Sequence, residues 1–248
     1  MNNTLAHNSV TPYNGTKVSK KIQVAEMFNN ISGRYDFFNR FLSLGIDVVW
    51  RKKALRMLAG KPIDNMLDVA TGTADVAIMA QKILAPTHIT GIDISQGMLN
   101  GGLAKIKKLG LENKITLQLG DSETINFAEN TFDAVTVAFG VRNFENLFTG
   151  ISEINRVLKP NGKLVVLEFT NPKNNGFRKL YQWYTGTVSP AIVGLFTKNK
   201  FAYQYLNESV QAFPDRENFV AILNKCGFKN SHYKTLTFGI CGIYVAEK

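Results

Sequence analysis

Between Asn65 and Phe169 the chain alternates short apolar runs with longer amphipathic ones, and this rhythm limits the fold more than any other feature. "NMLDVA", "HITGID", "ITLQL", "FDAVTVA" and "KLVVLEF" read as strands. Asp75–Leu84, Gly97–Leu109 and Leu147–Leu158 read as helices between them. Strands separated by helices predict a parallel sheet with right-handed crossovers. Two closing runs, "HYKTLTF" and "CGIYVAE", are joined through Gly239 and predict an antiparallel hairpin, with a helix over Asp215–Cys226 before it. The expected fold class is α/β, an open doubly wound sheet with an antiparallel end. Hydrophobic residues make up 45% of the chain, enough for the core such a sheet needs.

Residues 1–19 are polar and read as a flexible tail, with no secretory leader. A helix is expected from Lys20, with Ile22, Ala25 and Phe28 as its apolar face, then a short aromatic helix over "YDFFNRFL". A third begins at Asp47 as N-cap and ends at Gly60, closing an N-terminal helical segment of residues 20–60. Residues 171–214 interrupt the strand–helix rhythm as an aromatic-rich helical insert. No apolar run reaches the length of a membrane-spanning helix. Cys226 and Cys241 lack metal spacing and read as reduced thiols in a cytoplasmic protein. Lys and Arg exceed Asp and Glu by 29 to 19, a net charge of +10, which suits nucleic acid, an anionic membrane or an acidic substrate, or only a solvated surface.

Ligands of doubly wound sheets sit beyond the carboxyl ends of the strands. "LDVATGTAD", Leu67–Asp75, follows the first strand and carries one glycine, Gly72, with Ala70 and Ala74 at alternate positions. A pyrophosphate needs closer backbone approach than two alanines allow. A nucleoside needs less: Gly72 gives one close approach and Thr73 a donor. Taken alone, the loop also fits an ordinary strand-to-helix turn. Asp93 ends the second strand, where a carboxylate accepts from ribose hydroxyls or, equally, caps the next helix. Asp121 and Ser122 follow the third strand in "LGDSE", placed to meet an adenine edge. Three strand ends with suitable groups favour S-adenosylmethionine over a nicotinamide dinucleotide.

"LDVATGTAD", "GIDIS", "GDSE" and "RVLKPNGKLVVLEF" resemble successive motifs of class I methyltransferases. "YDFFNRFLSLGIDVVWR", "FGVRNF" and "YLNESVQAFP" are similar to the ubiquinone/menaquinone biosynthesis C-methyltransferases, over a stretch from Met27 to the C-terminus. The resemblance implies a Rossmann-like, mostly parallel seven-stranded sheet over residues 61–248, with S-adenosylmethionine and no metal. The acceptor it implies is a polyprenylated quinol, read here as demethylmenaquinol with the ubiquinone-pathway quinol as the alternative. The resemblance implies Thr73, Asp93, Asp121 and Ser122 as cofactor contacts, and with Gly72 and Asp68 of the loop after the first strand these make up the expected cofactor set. The chain departs from the family at Phe38 (often Met), Asp47 (often His), Asn161 (often Gly) and Thr170 (often Ser). An imidazole role at position 47 is therefore excluded.

Methylation of a ring carbon needs a phenolate beside it, and a phenol titrates near pH 10. His7 is placed in the tail, while His88 and His232 precede strands at the wrong sheet edge, so no histidine is expected to act. Arg142 in "FGVRN" follows the fourth strand and can hold a phenolate oxygen, or pair structurally with Glu168. Asn143 can donate beside it, and Glu168 can serve as base directly or through water. Tyr35 and Asp36 belong to a segment expected to close over the site and exclude water. In the insert, Phe177, Tyr181, Trp183, Tyr184, Phe196, Phe201, Tyr203 and Tyr205, interleaved with Arg178, Lys179, Lys198 and Lys200, suit a prenyl groove, a helical cap or contact with an anionic membrane surface. An RNA methyltransferase is the chief rival, but no RNA-binding module accompanies the domain and nucleic acid is not expected as partner. A homodimer through the N-terminal helices or the insert is also compatible with the pattern.

Overall fold

A computed structural model describes residues 5–13, 15–36, 40, 43–173, 176, 178–179, 183, 187 and 200–248, for 200–203 as backbone only. The aromatic helix expected over residues 35–42 and most of the insert, including Phe177, Tyr181, Tyr184 and Phe196, lie outside the described residues or straddle their limits.

Seven strands form one sheet: β1 (Asn65–Val69), β2 (His88–Asp93), β3 (Ile115–Leu119), β4 (Phe132–Ala138), β5 (Leu158–Phe169), β6 (Lys229–Leu236) and β7 (Cys241–Glu247). Their order is β3-β2-β1-β4-β5-β7-β6, with β7 alone antiparallel to its neighbours. All of β1 to β5 run parallel, but the order in which strands are added reverses at the β1/β4 junction, so a crevice opens there at the carboxyl ends. The expected strand order in sequence and the closing hairpin are both present.

Alternation along the strands sends neighbouring residues into two cores. In β5, Leu164 and Val166 face one core with Ile151 and Ile154 of α6 (Leu147–Val157) and Phe219 and Leu223 of α8 (Glu217–Lys225). Val165 and Leu167 face the other, with Trp50 and Leu55 of α3 (Ile46–Arg56) and Ala77 and Ala80 of α4 (Asp75–Ile83). Such two-sided burial is why these strands read as nearly continuous apolar runs. Among the described residues no helix is long and apolar enough to cross a membrane.

A third, smaller core lies over the carboxyl edge. There Val24, Met27 and Phe28 of α2 (Lys20–Ile31) meet Met98 of α5 (Gln96–Lys108) and Tyr205 of α7 (Lys200–Ala212). The buried face of α2 is thus Lys20, Gln23, Val24, Met27 and Phe28, and the expected face is corrected: Ile22 is 58% exposed. Two polar residues on the inner face hid the true stripe from a count of apolar spacing. The expected flexible tail also needs revision, because Ala6–Ser9 form a single turn, α1, and His7 is buried.

Local departures from the resembled family have physical reasons. Asp47 is the second residue of α3 and not its cap, a place taken by Gly45 at φ +75°. Its buried carboxylate pairs with Arg51 at 2.7 Å and accepts from Ser43 Oγ at 2.8 Å. Asn161 sits at φ +63°, a left-handed conformation asparagine tolerates better than most residues. Thr170 is buried and donates its hydroxyl to the Gly239 carbonyl at 2.7 Å.

Candidate active site

The loop after β1 adopts left-handed backbone at Ala70 (φ +54°), Gly72 (+58°) and Ala74 (+63°). For each alanine this costs about 1 kcal/mol or more. The strain is held by Asp68 beneath the loop. Its two oxygens accept from Thr71 Oγ1 and Thr136 Oγ1, each at 2.6 Å, and burial pushes its pKa up to about 6. The loop that follows β4 abuts this one, since a side-chain carbon at Gly140 would stand 2.6 Å from Ala70 Cβ. Only glycine lets the two strand-end loops meet.

Between them opens a cleft of about 640 Å³, its mouth included. Gly72, Asp93, Met98, Asp121, Ser122 and Asn143 all line it. A smaller lobe continues past Tyr35 and Gly72 to Asp36, Asp68 and Thr73. Asp93 is the best-organised group in the cleft. One oxygen accepts the Gly72 N–H at 2.8 Å and the other the Ser95 N–H at 2.8 Å. This fixes the carboxylate, with the Ile94 N–H as a further backbone donor. Burial raises its pKa to about 6 despite those donors. Helix α5 is capped by Ser95, whose hydroxyl accepts from the Met98 N–H. Asp93 is therefore relieved of the capping duty that was its alternative reading. A fixed carboxylate between apolar Val24, Phe28, Ile94 and Met98, with Asp121 farther along, suits a nucleoside: a diol at one end and a base with an amino edge at the other.

Asp121 is already engaged. One oxygen accepts the Glu123 N–H at 2.9 Å and the other pairs with Lys21 of α2 at 2.6 Å. The first turn of α2, which has no side-chain cap of its own, donates the Lys21 N–H to Glu145 at 3.0 Å. Helix α2 is thus pinned across the cleft by acids on two different loops.

Tyr35 borders both lobes and stacks edge-on against Phe28, with ring centroids 5.8 Å apart. Asp36 accepts the Thr73 hydroxyl at 2.5 Å and pairs with Lys105 at 2.5 Å, while Lys105 also bridges to Asp75. The N-terminal segment is therefore latched onto the loop after β1.

At the end of β4, residues 141–143 form a 3-10 turn. Asn143 faces the cleft, and its Oδ1 accepts from the Tyr205 hydroxyl at 3.2 Å. Arg142 points inward instead. Its Nη1 donates to Glu168 at 2.6 Å and to the Phe139 carbonyl at 2.7 Å, and the guanidinium lies over the Phe169 ring. Glu168 is fully buried, with Oε1 also taken by the Phe169 N–H. Burial raises its pKa, against the pull of Arg142, while the Glu168 charge holds Arg142 up. The structural pair that sequence offered as an alternative role for Arg142 is present. Glu168 faces Arg142 and does not line the cleft.

The structure brings Tyr35, Gly72, Asp93, Asp121, Ser122 and Asn143 to one cleft, with Asp36, Asp68 and Thr73 in its smaller lobe and Arg142 and Glu168 behind Asn143. His88 opens β2 at the amino edge, and His232 lies within β6 and not before it. Sequence reading missed Lys20, Lys21, Lys105 and Glu145, and His7 as more than a tail residue. Lys20 left a signal, being a lysine in phase with Val24, Met27 and Phe28. Of the insert's aromatics, Tyr205 is buried and Trp183 is 58% exposed, and Arg178 and Lys179 are exposed too.

Residues 16–248 match the model of the ubiE/COQ5 methyltransferase family. The chain is 44% identical over 239 residues to the demethylmenaquinone methyltransferase of Bacteroides fragilis, covering 96% of this chain and 97% of that one. It is 41% identical over 240 residues to the ubiquinone/menaquinone biosynthesis C-methyltransferase UbiE of Geobacter sulfurreducens, covering 96% and 93%. Among solved structures, a Thermotoga maritima S-adenosylmethionine-dependent methyltransferase, described as a possible histamine N-methyltransferase, superposes with a TM-score of 0.63 at 15% identity, over 90% of this chain and 99% of its own. That last likeness shows the class I methyltransferase fold. The sequence matches show more: this chain belongs to the ubiE/COQ5 methyltransferase family.

Proposed function

We propose that this enzyme methylates a ring carbon of demethylmenaquinol, with S-adenosylmethionine as donor. The observation that carries the reading is near-full-length similarity to the B. fragilis demethylmenaquinone methyltransferase, with the N-terminal segment and Asn143 converging on one cleft. When bound, S-adenosylmethionine supplies a methyl group already activated by its sulfonium. Asp93 would hold the ribose hydroxyls, Asp121 and Ser122 the adenine edge, and Gly72 and Thr73 the methionine end.

What remains for the protein is to make the acceptor carbon nucleophilic. Bringing a phenol from a pKa near 10 to half-ionised at pH 7 takes about 4 kcal/mol. A unit positive charge about 4 Å from the oxygen supplies roughly that at the effective dielectric of a protein site. Arg142 is the cation behind the cleft; paired with Glu168 it supplies part of that stabilisation, and the rest falls to hydrogen bonds donated to the oxygen. The proton of Arg142 is held too tightly for it to be a base. Glu168 orients Arg142, Asn143 donates its amide N–H to the phenolate oxygen, and Tyr35 and Asp36 close the site against water. The quinol proton leaves to solvent.

The test is transfer of labelled methyl from S-adenosylmethionine to chemically reduced demethylmenaquinol, with bulk RNA in parallel. Label in the quinol, lost when the quinone is left oxidised, is expected. Label in RNA alone defeats the reading. The G. sulfurreducens relative's name spans ubiquinone too, so a demethylated benzoquinol is the second acceptor to assay.

A polyprenylated acceptor resides in a membrane, and the protein would meet it from the cytoplasmic side. The net charge of +10 and the exposure of Trp183, Arg178 and Lys179 support reversible contact with anionic lipid. Co-sedimentation with phosphatidylglycerol vesicles is expected to exceed that with phosphatidylcholine vesicles and to fall with salt. Equal sedimentation would refute it.

A further inference from the structure

In the Val141–Asn143 turn the Arg142 carbonyl oxygen has no backbone donor among the described residues. The Asn143 N–H donates to Gly140 and the Phe144 N–H to Val141, and the Arg142 carbonyl oxygen receives neither. Its partners come from far away in sequence. His7 Nε2 lies 2.7 Å from it, and Lys20 Nζ lies 3.4 Å from it and 2.9 Å from the His7 carbonyl.

These partners are expensive to put there. Lys20 is 3% exposed and makes no ion pair among the described residues. Taking an ammonium out of water without a carboxylate contact costs several kcal/mol. Burial lowers the Lys20 pKa to about 7, with Glu145 and Glu123 as the acids that favour its charge and Arg142 as the cation opposing it. His7, also buried, is held near 4 and so is neutral. A carbonyl oxygen only accepts, so neutral His7 carries its proton on Nε2 and donates, and Nδ1, beside the Asn8 side-chain amide at 3.1 Å, accepts from that amide turned to present its N–H. Nε2 therefore cannot accept from Lys20, whose donors go to the two carbonyls. Phe213 packs edge-on against the imidazole, with centroids 6.4 Å apart. A polar pair with this burial is placed for its one target, the turn that carries Arg142 and Asn143.

We infer that His7 and Lys20 are positioning residues for the transfer step: they clamp the Arg142 carbonyl and thereby set the Arg142 and Asn143 side chains against the acceptor. The role rests on the proposed reading of the Arg142–Asn143 turn. Neither residue lines the cleft, so neither touches the cofactor directly.

The experiment compares full-length wild type with Lys20→Met, His7→Ala and His7→Gln. It measures methyl transfer to reduced demethylmenaquinol, S-adenosylhomocysteine affinity, Tm, and amide exchange at Asn143 and Phe144. Lys20→Met and His7→Ala are expected to lower kcat at least tenfold, with KM for S-adenosylmethionine within twofold and faster exchange at both amides. His7→Gln, whose side-chain N–H can still reach the carbonyl, is expected to recover kcat to within about threefold. Because Lys20→Met removes a buried charge, its Tm should be no lower than wild type. A residue that merely stabilises the fold would do the reverse, losing Tm and keeping the turnover of the folded fraction. Unchanged kcat with unchanged exchange in Lys20→Met and His7→Ala overturns the clamp, and so does a kcat loss that follows Tm and persists in His7→Gln. If wild type fails to methylate the quinol, the functional reading falls, and exchange at Asn143 and Phe144 then decides the clamp alone.

Discussion

Asp93→Ala is expected to weaken S-adenosylhomocysteine binding at least 100-fold, about 2.8 kcal/mol by titration calorimetry. Both Asp93 oxygens are oriented by backbone donors from different elements, Gly72 and Ser95, which hold the carboxylate in place for a diol. Asp93→Asn should not rescue it, because the amide would present N–H to one of those two backbone N–H groups. The affinity should also depend on pH. The ionised carboxylate is the acceptor, and burial raises its pKa to about 6, so affinity at pH 5 is expected to be about tenfold weaker than at pH 7. For stability of the free protein the sign is opposite. The unfolded carboxyl ionises near 3.8 while the folded one resists to about 6, so the Asp93 contribution is fully present below pH 4 and lost as pH rises through 6. Asp68 titrates in the same window beneath the loop and buried His7, held near 4, opposes it there, so the difference between wild type and Asp93→Ala is the quantity that isolates Asp93. Wild-type affinity for Asp93→Ala would remove Asp93 from the cofactor site.

Much of this arrangement was legible in sequence. Strand ends could be counted because two-sided burial makes each parallel strand an unbroken apolar run, and Asp93, Asp121 and Asn143 follow from those ends by topology alone. Backbone conformation at Ala70 and Ala74 was not legible, since alanine carries no mark of a left-handed angle. The N-terminal segment was misread for a related reason. Periodicity reports apolar burial, whereas Lys20, Gln23 and His7 are buried by polar contacts to residues more than 100 positions away or to each other's neighbourhood. Asp47 shows the same limit, since it looks like a helix cap and is instead half of a buried pair. Polar burial is specified by three-dimensional partners, and a one-dimensional pattern does not record them.

The Arg142–Glu168 pair separates holding the fold from doing chemistry. Arg142→Met leaves a fully buried carboxylate with its main partner gone, and breaking such a pair typically costs about 3–5 kcal/mol. It also removes the cation proposed to stabilise the phenolate, and losing one such preorganised group typically costs about 10²–10³-fold in kcat. Both losses are expected in the single variant, so it alone decides nothing. Adding Glu168→Gln to Arg142→Met removes the stranded charge and should return most of the lost Tm. It supplies no cation, so kcat should stay down by at least 100-fold. Glu168→Gln alone keeps the guanidinium and its hydrogen bond to the Phe139 carbonyl, and should retain kcat to within about tenfold. A double variant that regains activity along with stability would make Arg142 a structural residue. The phenolate oxygen would then rest on Asn143, which faces the cleft and is held by Tyr205.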